Sequence, residues 1–141
     1  DERGVGRDIA ATVYDIQRAE VVNTAEWSAV GNWVVVDLDV EAVASEYGNN
    51  LTLATLTVDG RTFGASERPD SLLRSPLSVG IPRSGRLAFE LAEDVTRGNA
   101  TLTLGTNTDP RLDSLIVLEF ALEEVPVESD IDLTPTDWST R

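Results

Sequence analysis

The stretch that most constrains the fold is the run from Trp33 to Val43, which has the pattern of one long strand with a single buried face. The apolar set on this run is Val34, Val36, Leu38, Val40 and Ala42, and the acidic set between them is Asp37, Asp39 and Glu41. Successive side chains of a strand point to opposite faces, so this spacing separates the apolar residues from the carboxylates. Such a strand predicts an antiparallel sheet with one wet side, as in a β-sandwich.

Six further segments show strand periodicity and are separated by turn residues, so the chain has about seven predicted strands. The six are residues 8–22, 51–58, 61–63, 86–91, 102–104 and 116–122. All six prolines lie outside these segments, where no ladder hydrogen bond is lost. The pattern predicts an all-β fold, an immunoglobulin-like antiparallel β-sandwich.

Turn residues predict how the early strands are joined. The apolar face of the first segment changes phase at Val13–Tyr14, which indicates a bulge or a strand that passes between sheets. Residues 23–32 are predicted to be a connection that ends in a Gly31–Asn32 turn. A second turn at Gly48–Asn50 is predicted to place residues 51–58 beside the central strand as an antiparallel neighbour.

Later signals predict one tight hairpin and one long crossing. Asp59-Gly60 is the strongest short hairpin signal in the chain. Residues 64–84 contain three prolines and predict a long connection that crosses between the sheets, with one helical turn at 70–73.

Composition excludes several functional classes. The 141 residues fit one domain with a single core. Cys, Met, His and Lys are absent, so Ser-His-Asp, Cys-His and Ser-Lys catalysis has no base or nucleophile, and no disulfide forms. A carboxylate pair needs a cleft that a small sandwich hardly provides. We therefore expect no enzymatic activity and no cofactor.

The net charge limits the classes of partner that the chain can bind. All 11 basic residues are arginine, and the formal net charge is −14. Such a surface repels phosphate, so we expect neither nucleic-acid binding nor attraction to an anionic membrane. No run approaches the ~20 apolar residues of a membrane span.

The C-terminal part is distinct in composition. Residues 119–137 contain seven acids and no basic residue. We expect a sandwich over residues 1–126 and an acidic tail over residues 127–141, which lacks the apolar content to fold alone. Ile131, Leu133 and Trp138 are spaced so that they could dock this tail on the sandwich or on a partner, and they are the candidate partner-binding residues.

Several short motifs occur in an order that resembles a known family. They are Gly6-Arg7-Asp8, Trp33-Val34-Val35-Val36-Asp37-Leu38, Asp59-Gly60-Arg61, Gly80-Ile81-Pro82, Phe89-Glu90-Leu91 and Leu112-Asp113-Ser114. From Gly6 to Val125 the chain resembles the telokin-like, immunoglobulin-like domains of exported bacterial proteins, found in actinobacterial lipoproteins and membrane-anchored surface proteins. The resemblance implies a sandwich outside the cytoplasm, tethered through a segment upstream of residue 1. It implies no catalytic residues, and the acidic tail departs from the family pattern.

A small-ligand module that binds calcium or a glycan is the alternative function. Candidate calcium ligands are Asp37 with Asp39, the loop 107–113 and the segment Glu128–Asp132, although none matches a calcium-loop consensus. We interpret these acids instead as a solvated surface, partly paired with Arg61 or Arg86 across the sheet. Candidate stacking platforms for a sugar are Trp27, Trp33, Tyr47 and Trp138.

Together these observations favour a non-enzymatic, extracytoplasmic module that mediates protein–protein contacts in the cell envelope. The expected binding elements are exposed strand edges or the acidic tail. The oligomeric state is left open.

Overall fold

A computed structural model describes residues 2–5, 9–24, 27–42, 51, 53–66, 77, 82–105, 115–133 and 137–138. Within these ranges the chain forms eleven strands and one 3-10 turn, Leu122–Glu124. The strands are β1 Glu2–Val5, β2 Ile9–Asn23, β3 Ser28–Ala42, β4 Leu53–Val58, β5 Arg61–Gly64, β6 Arg83–Leu91, β7 Asn99–Gly105, β8 Ile116–Ala121, β9 Val127–Glu128, β10 Ile131–Asp132 and β11 Asp137–Trp138. They form two sheets, and the predicted all-β, immunoglobulin-like sandwich is confirmed.

The first sheet has the order β1-β2-β3-β6-β11, with β9 and β10 also paired to β2. Its centre is the antiparallel pair of β2 and β3, two strands of 15 residues each. The second sheet is shorter and has the order β5-β4-β7-β8, all antiparallel. β2 and β3 therefore have the length to continue past the end of the second sheet.

The core lies between the two sheets, and the inner face of β3 supplies its longest apolar row. Val34, Val36, Leu38, Val40 and Ala42 are at most 1% exposed, as the alternation predicts. The other large buried side chains of this core include Leu56, Leu87, Phe89, Leu102, Leu104 and Leu122. Burying one such side chain stabilises the fold by about 1.5–3 kcal/mol, so this row is a major determinant of the fold.

The predicted bulge in the first segment and the predicted Asp59-Gly60 turn are confirmed. β2 has a register shift between Val13 and Asp15, which leaves Tyr14 as the extra residue of a bulge and keeps Ile16 against the core. Asp59 and Gly60 both have positive φ, 49° and 83°, as the tight turn between β4 and β5 requires.

The long connection after β5 does cross between the sheets, because β5 and β6 belong to different sheets. The backbone N–H of Ser66 donates to the Ala88 carbonyl, which joins the two sheets along the side of the sandwich. The predicted helical turn at 70–73 lies outside the described residues.

The predicted connection over residues 23–32 is wrong. β3 begins at Ser28, and the register with β2 shifts between Ala19 and Val21, so Gly31–Asn32 is a bulge within the hairpin. A bulge and a turn use the same residue types, because both need local departures from strand geometry.

The predicted pairing of the central strand with residues 51–58 is also wrong. β3 has β2 and β6 as its neighbours, whereas β4 lies in the other sheet between β5 and β7. The chain therefore changes sheet between Ala42 and Leu53, and the predicted turn at 48–50 lies outside the described residues.

The outer face of β3 is less solvated than the acidic pattern predicts. Asp37 and Glu41 are half-buried, and Asp39 is only 4% exposed. In the register Asp39 lies between Thr12 of β2 and Ser84 of β6. A buried carboxylate is costly unless polar groups surround it, and these hydroxyl-bearing neighbours supply such groups.

Candidate functional site

The C-terminal tail begins with strands that extend the first sheet. β9 and β10 pair in parallel with residues 18–19 and 22–23 of β2, and β1 pairs with the earlier part of the same edge. β11 pairs with Arg83 and Ser84 at the opposite edge, on β6. The tail therefore reaches both edges of the first sheet, and its strands cover backbone groups that would otherwise be open to pairing.

The three candidate partner-binding residues occupy different environments. Ile131 is 6% exposed and belongs to a second apolar cluster on the outer face of the first sheet. Leu133 packs against the same cluster, and its backbone N–H donates to the Asn23 carbonyl at 2.7 Å. Trp138 lies in β11, and its side chain is outside the described residues. A partner could reach Ile131 only after β10 separates from β2.

Trp33 is the centre of this outer cluster, together with Ala19, Val22, Val35, Ala88 and Ile131. Trp33 is 3% exposed, and its indole N–H donates to the Ala29 carbonyl at 3.1 Å. Trp27 packs on the cluster and is half-buried. A buried indole offers no face for a sugar, so Trp33 has the environment of a packing residue. Tyr47 lies outside the described residues.

The acidic candidates for calcium in the tail form hydrogen bonds within the chain. In the segment Glu128–Asp132, the Asn23 amide nitrogen donates to Asp130 Oδ2 and to Asp132 Oδ1, each at 3.3 Å. The Asn23 amide oxygen accepts from Ser28 at 2.7 Å, which fixes the amide orientation. The positive end of an amide dipole thus occupies the position between the two carboxylates.

The other two calcium candidates are the pair Asp37 and Asp39 and the loop 107–113. Asp37 lies beside Arg86 in the register of β3 with β6, which agrees with a paired acidic face. The loop 107–113 falls outside the described residues. Among the side chains that the structure describes, no group of three or more acids is placed to hold a metal ion.

A groove lies at the end of the β2–β3 hairpin where the two strands are connected. Its volume is about 630 Å³, and it is lined by both strands of the hairpin, by residues 90–96 and by Val127 of the tail. We call it the hairpin groove. Val30 is 81% exposed and Val127 is 59% exposed, and both line it. Large apolar side chains this open to solvent beside a concave surface are typical of a binding site.

A hydrogen-bond network fixes one wall of the hairpin groove. The Asn32 amide nitrogen donates to the carbonyls of Ala92 and Val95, at 3.0 and 2.6 Å. Its amide oxygen accepts from Arg18 Nη2 at 3.0 Å, and Arg18 Nη1 donates to the Thr96 carbonyl at 3.2 Å. Asn32 and Arg18 thereby attach the turn over residues 92–96 to the hairpin.

The same arginine also anchors the start of the tail. The backbone N–H of Arg18 donates to the Pro126 carbonyl at 2.8 Å, and Val127 pairs with Arg18 in the register of β9. Arg18 Nε is buried without a hydrogen-bond partner. An orphaned buried N–H is costly, which shows that the guanidinium is held in place by its other contacts.

The groove carries more negative than positive charge. Among the lining residues that the structure describes, Glu20, Glu90 and Glu93 are acidic and Arg18 is basic. A Cβ added to Gly31 would lie 2.7 Å from Glu90 Oε2, so the bulge glycine leaves room for this carboxylate beside the hairpin backbone.

A smaller cavity of about 200 Å³ lies between the β4–β5 turn and residues 94–97. Arg61 Nη1 and Asp94 Oδ2 form an exposed ion pair at 2.9 Å there, and the hydrogen bond from Arg61 lowers the pKa of Asp94. Arg61 also lies over the Phe63 ring at 5.8 Å. These contacts join two turns and are those of a surface ion pair.

Sequence reasoning missed the hairpin groove. Its residues come from four separate parts of the chain, and Val30 lay in a segment predicted to be a connection. The available signal was the apolar pair Ala29-Val30 just before the central run. Gly31 and Asn32 separate this pair from the run and were interpreted as a turn.

The comparisons with known proteins give no relatives: no family model, curated protein or solved structure matches the chain. The telokin-like family therefore stays a prediction from the motifs. Among the described residues no helix is long and apolar enough to cross a membrane.

Proposed function

We propose that the chain is a non-enzymatic, extracytoplasmic β-sandwich module that makes protein–protein contacts in the cell envelope, and that the hairpin groove is its contact surface. The observation that carries this proposal is the pair of exposed valines, Val30 and Val127, beside one concave surface. Apolar side chains rimmed by polar groups are typical of protein-binding surfaces. The resemblance to telokin-like domains supports the location outside the cytoplasm.

The groove is built on regular elements and not on loops alone. β2 and β3 line the groove, and the Asn32 hydrogen bonds attach the turn over residues 92–96, which also lines it, to these strands. A surface held in this way loses little conformational freedom when it binds, which favours affinity. The proposal thus shifts the contact surface from Ile131 and Leu133, which pack on the chain itself, to Val30 and Val127.

The experiment is site-specific photo-crosslinking in the native host. A photoreactive amino acid replaces Val30 in one variant and Val117 in another. Val117 is the matched control, because it is also an exposed strand valine, at 55%, but lies on β8 in the second sheet. The proposal expects a discrete protein adduct in the envelope fraction from position 30 only. Identical adducts from both positions, or none from position 30, would contradict it.

A further inference from the structure

The hairpin groove combines two exposed valines with three glutamates, and this combination specifies the chemistry of an occupant. We infer that the groove binds an extended, cationic segment of a partner protein, in which lysine or arginine side chains accompany small aliphatic ones. This inference rests on the proposed function and names its partner class.

The valines lie on one face of the extended first sheet. Ala19, Val22 and Ala29 all belong to the outer cluster or pack against it. Side chains alternate along a strand. Val21, which precedes Val22, and Val30, which follows Ala29, therefore lie on the face opposite the outer cluster. These two are directly paired between β2 and β3.

Val127 extends the same face by one more strand. It pairs with Arg18, the residue before Ala19, so β9, β2 and β3 lie side by side with Val127 and Val30 on the two outer strands. Two strand spacings, about 10 Å, separate them across the sheet, and an offset of about 10 Å along the strands is added because Val30 pairs with Val21, three residues beyond Arg18. This separation suits two aliphatic side chains of one extended segment that crosses the groove, and is too large for a single side chain to contact both.

Charge decides which segment fits. Glu20, Glu90 and Glu93 line the groove, and Arg18, the one cation among its described lining residues, already donates to Asn32 and to the Thr96 carbonyl. The net charge of −14 adds a long-range field of the same sign. A cationic segment is attracted to this surface, whereas an acidic one is repelled.

The same argument excludes two other occupants. A second copy of the chain carries the same net charge of −14, so like charges oppose a contact between two such acidic surfaces. The chain's own C-terminal segment is acidic, with seven acids and no basic residue over 119–137. Neither matches the groove, which leaves a partner with basic residues.

The test measures fluorescence anisotropy of labelled synthetic twelve-residue peptides with the full chain. One peptide alternates lysine with valine, and the comparison peptides alternate serine with valine, lysine with serine, and glutamate with valine. We expect the lysine–valine peptide to bind most tightly, with affinity that falls as salt increases.

Protein variants locate the binding. The double variant Glu20→Gln/Glu93→Gln should bind the lysine–valine peptide roughly fivefold more weakly, since each exposed charge contact contributes modestly. The matched control is Glu119→Gln/Glu124→Gln, which removes two exposed acids outside the groove and should bind like the wild type. Val30→Ser should weaken binding, and Val117→Ser should not.

The outcomes separate this inference from the proposed function. Equal loss in both double variants would mean unspecific attraction to an acidic protein and would overturn the inference. Equal affinity for the serine–valine and lysine–valine peptides, with loss in Val30→Ser, would overturn the cationic specificity but leave the groove as a contact surface. Absence of binding to every peptide would overturn the inference, while the Val30 crosslink tests the proposed function independently.

Discussion

Ile131 lies beside Val22 in the parallel pairing of β10 with β2, and both side chains are buried in the outer cluster around Trp33. This relationship joins residues 109 positions apart in sequence and fixes the tail along the β2 edge. Val127, four residues before Ile131, is thereby held at the hairpin groove. Residues 127–131 thus connect the outer cluster on one face of the sheet to the hairpin groove on the other.

Ile131→Ala should destabilise the fold by about 2 kcal/mol or more, because it leaves a cavity beside Trp33. Urea unfolding measures the loss, and hydrogen exchange of the Leu133 amide, which donates to the Asn23 carbonyl, reports release of the tail. Val127→Ala is the control, since this exposed side chain should change stability by no more than about 0.5 kcal/mol. Equal stability of the two variants would show that Ile131 does not anchor the tail.

Asn32→Ala should cost about 1–3 kcal/mol, because it leaves the Ala92 and Val95 carbonyls without their donor. Asn32→Asp should be at least as destabilising at neutral pH, since a carboxylate cannot donate to either carbonyl. Thermal or urea unfolding checks both variants. Asn99→Ala, at an exposed asparagine that begins β7, serves for comparison, and an Asn32→Ala chain as stable as that control would refute the structural role of the network.

Gly60→Ala should destabilise the β4–β5 hairpin by about 1–2 kcal/mol, because Gly60 has a φ of +83° that L-residues adopt at a cost. Gly64→Ala is a closely matched control in β5. An added Cβ meets nothing within 4 Å at either position, and only Gly60 has positive φ. Urea unfolding of both variants should show a loss for the first and almost none for the second, and equal losses would rule out backbone strain as the cause.

Glu123 should stabilise the fold in a pH-dependent way. Hydrogen bonds from its own backbone N–H and from that of Gly98 lower the pKa of this carboxyl below its ordinary 4.5. A depressed folded-state pKa means that the stabilisation is complete above the unfolded value and is lost as pH falls through the folded one. Glu123→Gln should therefore be less stable than wild type at neutral pH, with the gap closing as pH falls below the ordinary 4.5 and through the lowered pKa of the folded state.

Urea unfolding across this pH range measures the gap, and Glu124→Gln controls for loss of an exposed neighbouring acid. A gap that stays constant with pH would contradict the assigned hydrogen bonds.

Local patterns predicted the long elements well, and the inner face of β3 shows why. Five apolar residues at a two-residue period can be buried together only in a strand, and they are. The Asp59-Gly60 turn was equally predictable, since its conformation is determined by two adjacent residues.

The short strands were not predictable in this way. β1, β9, β10 and β11 have two to four residues each, and they are strands because their backbones pair with an edge that β2 or β6 provides. No periodicity can appear in two residues. The burial of Asp39 likewise depends on neighbours from β2 and β6, which the strand's own sequence does not contain.

The hairpin groove depends on such long-range placement throughout. Its walls require the attachment of residues 92–96 to the hairpin by Asn32 and the pairing of Val127 from the tail with β2. Each of these contacts joins segments far apart in sequence, so no short sequence motif identifies the site.

The most direct test of the proposed contact surface is amide hydrogen exchange of the chain alone and in complex with the protein that the position-30 crosslink captures. The account predicts slower exchange on complex formation at Val21, Asn32 and Val127, with β8 unchanged. Slower exchange confined to Val117–Glu119 of β8, with the hairpin groove unaffected, would contradict it.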